Sequence, residues 1–317
     1  MTTTTAARET TARIDTPRPL SDAQVQSFVN DGFLAIPDMV GAAEVEELRR
    51  DTVRIARGEY PCDTIQPASE GLSDDDVLRT ILCIHQPHYI SAIMERYARH
   101  PLVCGALSQI TAAHLPFWDG SVKCMQTMLF VKPPDFQGQA WHQDEIYIPT
   151  RDRSLIGAWI ALDDANIENG CLWVLPGSHR TGYLYPQRKH GNADEFDFAP
   201  ESYGFDESAE MPVEVKTGTV VFFNGYLLHR SRRNRSSVYR RVLVSHYCNA
   251  WSLLPWSLKE GETVATADRR CILPVSGTDP YAWKGYDNPP GNVWLRTCKA
   301  AEEMKNRVGN GVAEENR

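Results

Sequence analysis

Helices first and then a mainly β core, a sandwich or barrel, is the fold that the sequence predicts. Three observations predict it. Helical periodicity is confined to the stretch before Pro116. After it, short apolar or alternating runs recur, at Val122–Lys132, Leu155–Asp163, Leu172–Leu175, Val213–Val215, Val220–Phe223 and Val242–Tyr247, with Gly, Pro, Asn and Asp between them. The length, 317 residues, suits one large domain, and no internal repeat divides it.

Taken in order, residues 1–19 are Thr-rich and poor in large apolar side chains, which reads as a disordered tail. Their lack of amphipathic periodicity argues against a transit peptide. Ser21 and Gln24 make a capping box for a helix that stops at Gly32. Phe33–Ile36 follows as a short strand. A second helix runs from about Ala42 to Arg57 with Val45, Leu48, Thr52 and Ile55 on one face. Tyr60–Asp76 reads as loop, and Ile84–Ala113 as two helices broken near Pro101. Asn169-Gly170, between two β runs, is the signal of a tight hairpin turn. Residues 180–211 carry many charges and aromatics without a period; this is too long for a plain connection and reads as a lid-like insertion. From Pro255 the chain looks irregular, and residues 309–317 read as a frayed tail. One domain over 20–308 is the plan.

Composition excludes several classes. There are 33 basic residues against 41 acidic ones, net −8, which does not suit an extended phosphate-binding surface, so no nucleic-acid partner is expected. No run of about eighteen apolar residues suggests a membrane span. The eight cysteines are scattered with no CxxC pair, and no secretory signal leads the chain, so reduced thiols and a cytoplasmic location are expected.

The chemistry concentrates in the β region. His142 and Asp144, two apart in Trp141-His142-Gln143-Asp144, would share one face of a strand. His229 ends another β run. Two imidazoles and a carboxylate are the donor set that holds non-haem Fe(II) with open coordination positions; zinc in a structural site would prefer thiolates. Eleven residues beyond His229, Arg240 begins Arg240-Arg241-Val242-Leu243-Val244, and a guanidinium is a natural two-pronged clamp for a carboxylate. Arg240 and Arg241 point opposite ways on a strand, so only one can serve.

Several ordered motifs then make a family resemblance. The chain resembles the phytanoyl-CoA dioxygenase family of Fe(II)/2-oxoglutarate oxygenases from about Leu20 to Trp251. It does so through Phe28-Val29-Asn30-Asp31-Gly32-Phe33, MLFVKPP (128–134), WHQDEIY (141–147), GAWIALDDANIENGCLWVLPGSH (157–179) and the spacing of His229 and Arg240. The resemblance implies a double-stranded β-helix, a jelly-roll or cupin-like barrel with α-helices packed on its outside. It implies His142, Asp144 and His229 as iron ligands, and Arg240, assisted by Ser231, as the holder of the distal carboxylate of 2-oxoglutarate. Met128 and Trp159 would line the co-substrate pocket. The family's lysine upstream of the barrel has no aligned position here. Asp144 occupies the position that a halogenase leaves to Ala or Gly, so oxygenation is implied. The implied activity takes Fe(II), 2-oxoglutarate and O2, releases succinate and CO2, and hydroxylates an aliphatic C–H of a small molecule. Desaturation, cyclisation or stereoinversion at the same iron are alternatives, as is a non-redox metal-binding barrel.

Other residues carry weaker expectations. Tyr147, Tyr226 and Arg188 are candidate substrate contacts. The arginines at 230, 232, 233, 235, 240 and 241 are read as a solvated loop around one useful arginine, or as a basic rim drawing in an anionic substrate. His246 shares the strand parity of Arg240 and reads as a satisfied interior histidine. His85, His88, His100 and His114 read as structural, His179 as a support for the turn at Gly177, and Glu145 as a surface or supporting group.

Overall fold

A computed structural model describes residues 12–115, 118–253, 261, 272–286 and 293–297. Five α-helices and fourteen strands are found among these residues. The helices are α1 (Asp22–Asp31), α2 (Ala42–Ala56), α3 (Asp74–Leu78), α4 (Ala92–Ala98) and α5 (Pro101–His114). The first nine strands are β1 (Phe33–Ile36), β2 (Ile81–His85), β3 (Val122–Phe130), β4 (Gln139–His142), β5 (Ile156–Ala161), β6 (Leu172–Val174), β7 (Gln187–Arg188), β8 (Glu201–Ser202) and β9 (Met211–Val213). The remaining five are β10 (Val220–Asn224), β11 (His229–Ser231), β12 (Val242–Asn249), β13 (Leu273–Ser276) and β14 (Trp294–Thr297).

The strands make a jelly-roll of two facing antiparallel sheets. The larger has the order β1-β10-β5-β12-β3-β2-β14, with β13 also on β3, and the smaller is β4-β11-β6-β9. Strand pleating sorts the side chains. Trp159, Val221, Phe223, Val242 and Val244 point inward and pack with Leu172, Val174 and Val213 of the smaller sheet. Their neighbours Ala158, Ile160, Val220, Phe222 and Leu243 point outward and pack under the helices, with Phe28, Leu48, Ile55, Met94 and Leu107. Each such large apolar side chain contributes about 1.5–3 kcal/mol on burial.

The capping box of α1 forms as the sequence predicts: Gln24 N donates to Ser21 Oγ (3.3 Å) and Ser21 N to Gln24 Oε1 (2.9 Å). Gly32 caps the helix at φ 81°, and a Cβ there would stand 2.3 Å from the His179 ring, so this turn needs glycine twice over. His179 donates to Val29 O (3.1 Å), tying the turn after Gly177 to the end of α1. Pro101 starts α5 behind His100, as expected.

The structure corrects four expectations. Ile81–His85 is a strand with all five residues buried, not the start of a helix; covered on both faces, it shows no alternation that would betray it. Asn169-Gly170 does not close a hairpin, because β5 pairs with β10 and β12 whereas β6 pairs with β11 and β9. Asn166 and Asn169 instead bond each other's backbone N–H through their side chains (2.9 Å each), and Gly170 leaves room for Lys132 Nζ, which a Cβ would meet at 2.6 Å. Residues 12–19 lie along the body: Ile14 and Gly277 exchange two backbone hydrogen bonds of 2.8 Å, and Pro17 abuts Gly105. Beyond Pro255, β13 and β14 give order where composition shows none. Residues 1–11 and 309–317 lie outside the described residues. Among those described, no helix is long and apolar enough to cross a membrane.

Candidate active site

The two sheets enclose a cavity of about 420 Å³, and the predicted ligand residues stand at its wall. His142 ends β4 and His229 opens β11; the two are direct partners in the ladder, which brings together imidazoles far apart in sequence. Asp144 is not on the strand with His142. It begins a 3-10 turn (Asp144–Ile146), and this turn, not the pleat, swings its carboxylate back toward the histidines. Asp144 Oδ1 lies 3.6 Å from His142 Nε2 and 3.7 Å from His229 Nε2, and the three ligand atoms fall within 4.8 Å of one another.

Hydrogen bonding prepares these groups for a metal. His142 Nδ1 faces Ala140 O (2.8 Å) and His229 Nδ1 faces Leu227 O (3.0 Å), so each donates from Nδ1 and leaves the Nε2 lone pair toward the shared point. Burial, then the neighbouring His229, pushes the His142 imidazolium down to about 3, which keeps it neutral. Burial alone would raise Asp144, but the imidazoles of His229 and His246 and the hydrogen bond from His246 outweigh it and hold the carboxyl below the usual range. His246 Nε2 donates to Asp144 Oδ2 at 2.9 Å. This bond occupies one carboxylate oxygen and leaves Oδ1 for the ligand position. Two imidazole Nε2 atoms and a carboxylate oxygen around one point fit Fe(II).

The candidate carboxylate clamp leads into β12, on the sheet facing the triad. Arg240 is buried, lines the cavity and lies over the Trp159 ring at 5.6 Å, with no partner for Nε among the described residues. Burial lowers it only to about 10, so it stays charged. Arg241 points the other way and forks onto Asp163 through Nε and Nη2 (2.8 Å each). Met128, Trp159 and Ser231 all line the cavity. Ser231 Oγ accepts from Gln139 N (3.2 Å) and sits 3.5 Å from Lys132 Nζ. Lys132 is buried at this wall, and burial followed by the Arg240 charge pulls it well below an ordinary lysine.

The candidate substrate contacts divide. Tyr147 lines the cavity, half exposed, its hydroxyl accepting from Gln187 Nε2 (3.1 Å). Tyr226 and Arg188 do not line it: Tyr226 is buried under Arg153, and Arg188 pairs with Glu201 (3.2 Å) over the Tyr203 ring. The basic rim is neutralised. Arg230 meets Glu207 and Glu210, Arg232 meets Glu210 (3.0 Å), Arg233 meets Asp194 (2.8 Å) and Arg235 meets Glu195 (2.7 Å). Glu145 is buried rather than on the surface, takes Thr150 N and Oγ1, and is pushed up to about 7 by that burial. Residues 197–200 of the 180–211 segment form part of the cavity wall. Gln143 fastens that segment, donating to Tyr183 O (2.9 Å) and accepting from Tyr185 N (2.9 Å). Sequence reasoning missed Lys132, Gln143, His85, Asp197 and Arg296 as cavity or supporting groups. Only Lys132 and Gln143 lie inside recognisable motifs.

Residues 28–242 match the family model described as Phytanoyl-CoA dioxygenase (PhyH), about two thirds of the chain. The chain belongs to the phytanoyl-CoA dioxygenase (PhyH) family. It is accordingly an iron- and 2-oxoglutarate-dependent oxygenase. Curated PhyH relatives include phytanoyl-CoA dioxygenase 1 of Oryza sativa subsp. japonica, 27% identical over 266 residues (75% of this chain, 93% of that protein). The peroxisomal phytanoyl-CoA dioxygenase of Bos taurus is 28% identical over 242 residues, 73% of this chain and 69% of that protein. Among solved structures, the epimerase SnoN in complex with Fe3+, alpha ketoglutarate and nogalamycin RO superimposes with a TM-score of 0.56 at 17% identity, covering 76% of this chain and 92% of that one. The non-heme monooxygenase ThoJ gives 0.59 at 20% identity, covering 93% and 100%. At these identities the structural neighbours speak for the fold.

Proposed function

We propose that this PhyH-family protein hydroxylates an aliphatic C–H of a small molecule, with 2-oxoglutarate converted to succinate and CO2. The observation that carries the reading is the joint presence of the Asp144-centred triad and a buried, unpartnered Arg240 edge in one cavity. His142, Asp144 and His229 would hold iron, which supplies O2 activation when bound. Arg240, with Ser231, would hold the distal carboxylate of 2-oxoglutarate, while Met128 and Trp159 wall the pocket. His246 fixes the orientation of Asp144 so that Oδ1 faces the metal position. The apolar inner faces of the sheets and residues 197–200 exclude water around the reacting centre, and the 180–211 segment carries substrate choice.

The rim argues about the substrate. A coenzyme A thioester brings several phosphate charges, and the arginines best placed to meet them are already paired with Glu and Asp. A compact substrate lying within the cavity fits better. The test is succinate formation from 2-oxoglutarate under air. The wild type is expected to produce it, and Asp144→Ala to lose it by at least about a hundredfold, since removing a charged ligand removes the metal. Full turnover in Asp144→Ala would sink the reading. Once a substrate is found, the gain of one oxygen atom separates hydroxylation from epimerisation or ring closure.

A further inference from the structure

The larger sheet continues past the co-substrate region onto β2 and β14. The register places Trp294, His85, Met128, Val244 and Trp159 in one row across it, and Arg296, Cys83, Phe130 and Val242 in the next. By this register His85 and Arg296 stand on the same face as Met128 and Trp159, and both line the cavity. The strand carrying Arg296 is three steps across the sheet from β12, into which Arg240 leads. At the usual strand spacing this is roughly 14 Å. One cavity therefore has a guanidinium at each end, that of Arg240 and that of Arg296, the latter paired with Asp197.

The far end is built rather than incidental. His85 is 91% buried (9% exposed), stacks on Trp294 with ring centroids 3.7 Å apart and 6° between planes, and leaves Nε2 buried without a protein partner. Burial, with Arg296 nearby, pushes its imidazolium down to about 4, so at neutral pH the ring is uncharged. Arg296 lies over Phe198 (4.7 Å) and gives Nη2 to Asp197 Oδ2 (2.8 Å), but its buried Nε has no acceptor among the described residues. Asp197 is already engaged on both oxygens, since Ala199 N donates to Oδ1 (3.0 Å). An oxygen acceptor finds the Nε–H edge of the guanidinium, which is buried and without an acceptor among the described residues. Leu82, on the strand of His85, and Phe198, under Arg296, add apolar side chains to the cavity lining here.

We propose that His85 and Arg296 form a substrate subsite that takes the carboxylate of a compact acid whose apolar body points toward the iron position. This deepens the oxygenase reading and rests on Arg240 serving the co-substrate. Arg296 lies beyond residues 28–242 and His85 within them, so one of the two groups comes from outside the family match. Buried donors left without a partner also make it selective, because a ligand lacking the acceptor strands them.

The experiment is anaerobic binding to Fe(II)-loaded protein saturated with 2-oxoglutarate, using hexanoate, phenylacetate and their carboxamides as probes, read by calorimetry. The acids are expected to bind about tenfold or more tighter than the amides, as charge-assisted bonds require. Arg296→Met and His85→Phe should each weaken the acids by about tenfold or more, leaving 2-oxoglutarate affinity within about twofold. Retained 2-oxoglutarate binding also reports that each variant is folded, and the two substitutions lie on different strands. Equal binding of acid and amide overturns the proposal. So does acid binding that survives both substitutions, or no binding of either acid. Failure of the wild type to bind 2-oxoglutarate would remove the underlying oxygenase reading instead.

Discussion

At the residue scale, the hydrogen bond from His246 to Asp144 does work that no motif announces. Asp144 has two oxygens and the triad uses one; His246 decides which. Replacing His246 by Phe should weaken Mn(II) or Fe(II) binding about 10–100-fold in anaerobic calorimetry, as loss of an outer hydrogen bond to a metal ligand does elsewhere. His246→Gln, which keeps a donor, should recover part of it. Unchanged metal affinity in His246→Phe would show that the bond is merely structural. The candidate ligands were readable because His142, Asp144, His229 and Arg240 fall at short or fixed spacings within motifs. The way Asp144 reaches the site was not, because a 3-10 turn follows β4 where a continuing strand would satisfy the same spacing. Arg296 was unreadable for a different reason: a lone arginine near the C-terminus acquires meaning only through the register of β14 on β2.

At the scale of elements, Gln143 links the end of β4 to the segment over the cavity. Its side chain holds Tyr183 O and Tyr185 N, and Trp141 on the same strand donates to Glu207 Oε2 (2.8 Å). Gln143→Leu should therefore speed hydrogen exchange of the Tyr185 amide by about tenfold, since the loss of roughly one hydrogen bond's net worth frees it. Exchange unchanged at Tyr185 would mean the segment is held by its other contacts. Elements with a sharp start or stop were legible: Ser21, Gly32 and Pro101 each sit where the chain turns. β2 was not, because a run buried on both faces offers no period and Ile81-Leu82-Cys83-Ile84 suits a buried helix as well as a strand. The pairing behind Asn169-Gly170 was equally hidden, since local turn chemistry cannot say that the next strand joins the other sheet.

At the scale of the whole molecule, buried neutral histidines set the acid limit of stability. His88, bonded to Thr127 Oγ1 (2.6 Å), is pushed down to about 4 by burial, as is His85. The unfolded chain protonates these rings near 6.5, so between about 6.5 and 4 it binds more protons than the folded state. Stability contributed by them is thus present above about 6.5 and lost as pH falls toward 4. Glu145, pushed up to about 7, acts in the opposite sense but is one group against His85, His88 and, in the metal-free protein, His142. Melting of the metal-free protein should fall by several degrees from pH 7 to 5, and His88→Gln should flatten that slope. A melting temperature that rises over this interval would contradict the assignment. The division of the chain into helices and then β strands was legible at this scale because the two periodicities occupy different stretches. The facing of one sheet's histidines by the other sheet's arginine was not, because it depends on which strands cross between sheets.

The central claim is that one cavity binds iron through His142, Asp144 and His229 and 2-oxoglutarate through Arg240. It is tested most directly by titrating anaerobic, Fe(II)-loaded protein with 2-oxoglutarate and following the weak visible charge-transfer band of a chelated keto acid. The band is expected in the wild type, absent in His142→Ala, and shifted to about 10–100-fold higher 2-oxoglutarate concentration in Arg240→Ala, the loss of one charge-assisted pair. Folded, iron-loaded wild-type protein that shows neither the band nor 2-oxoglutarate binding would contradict it.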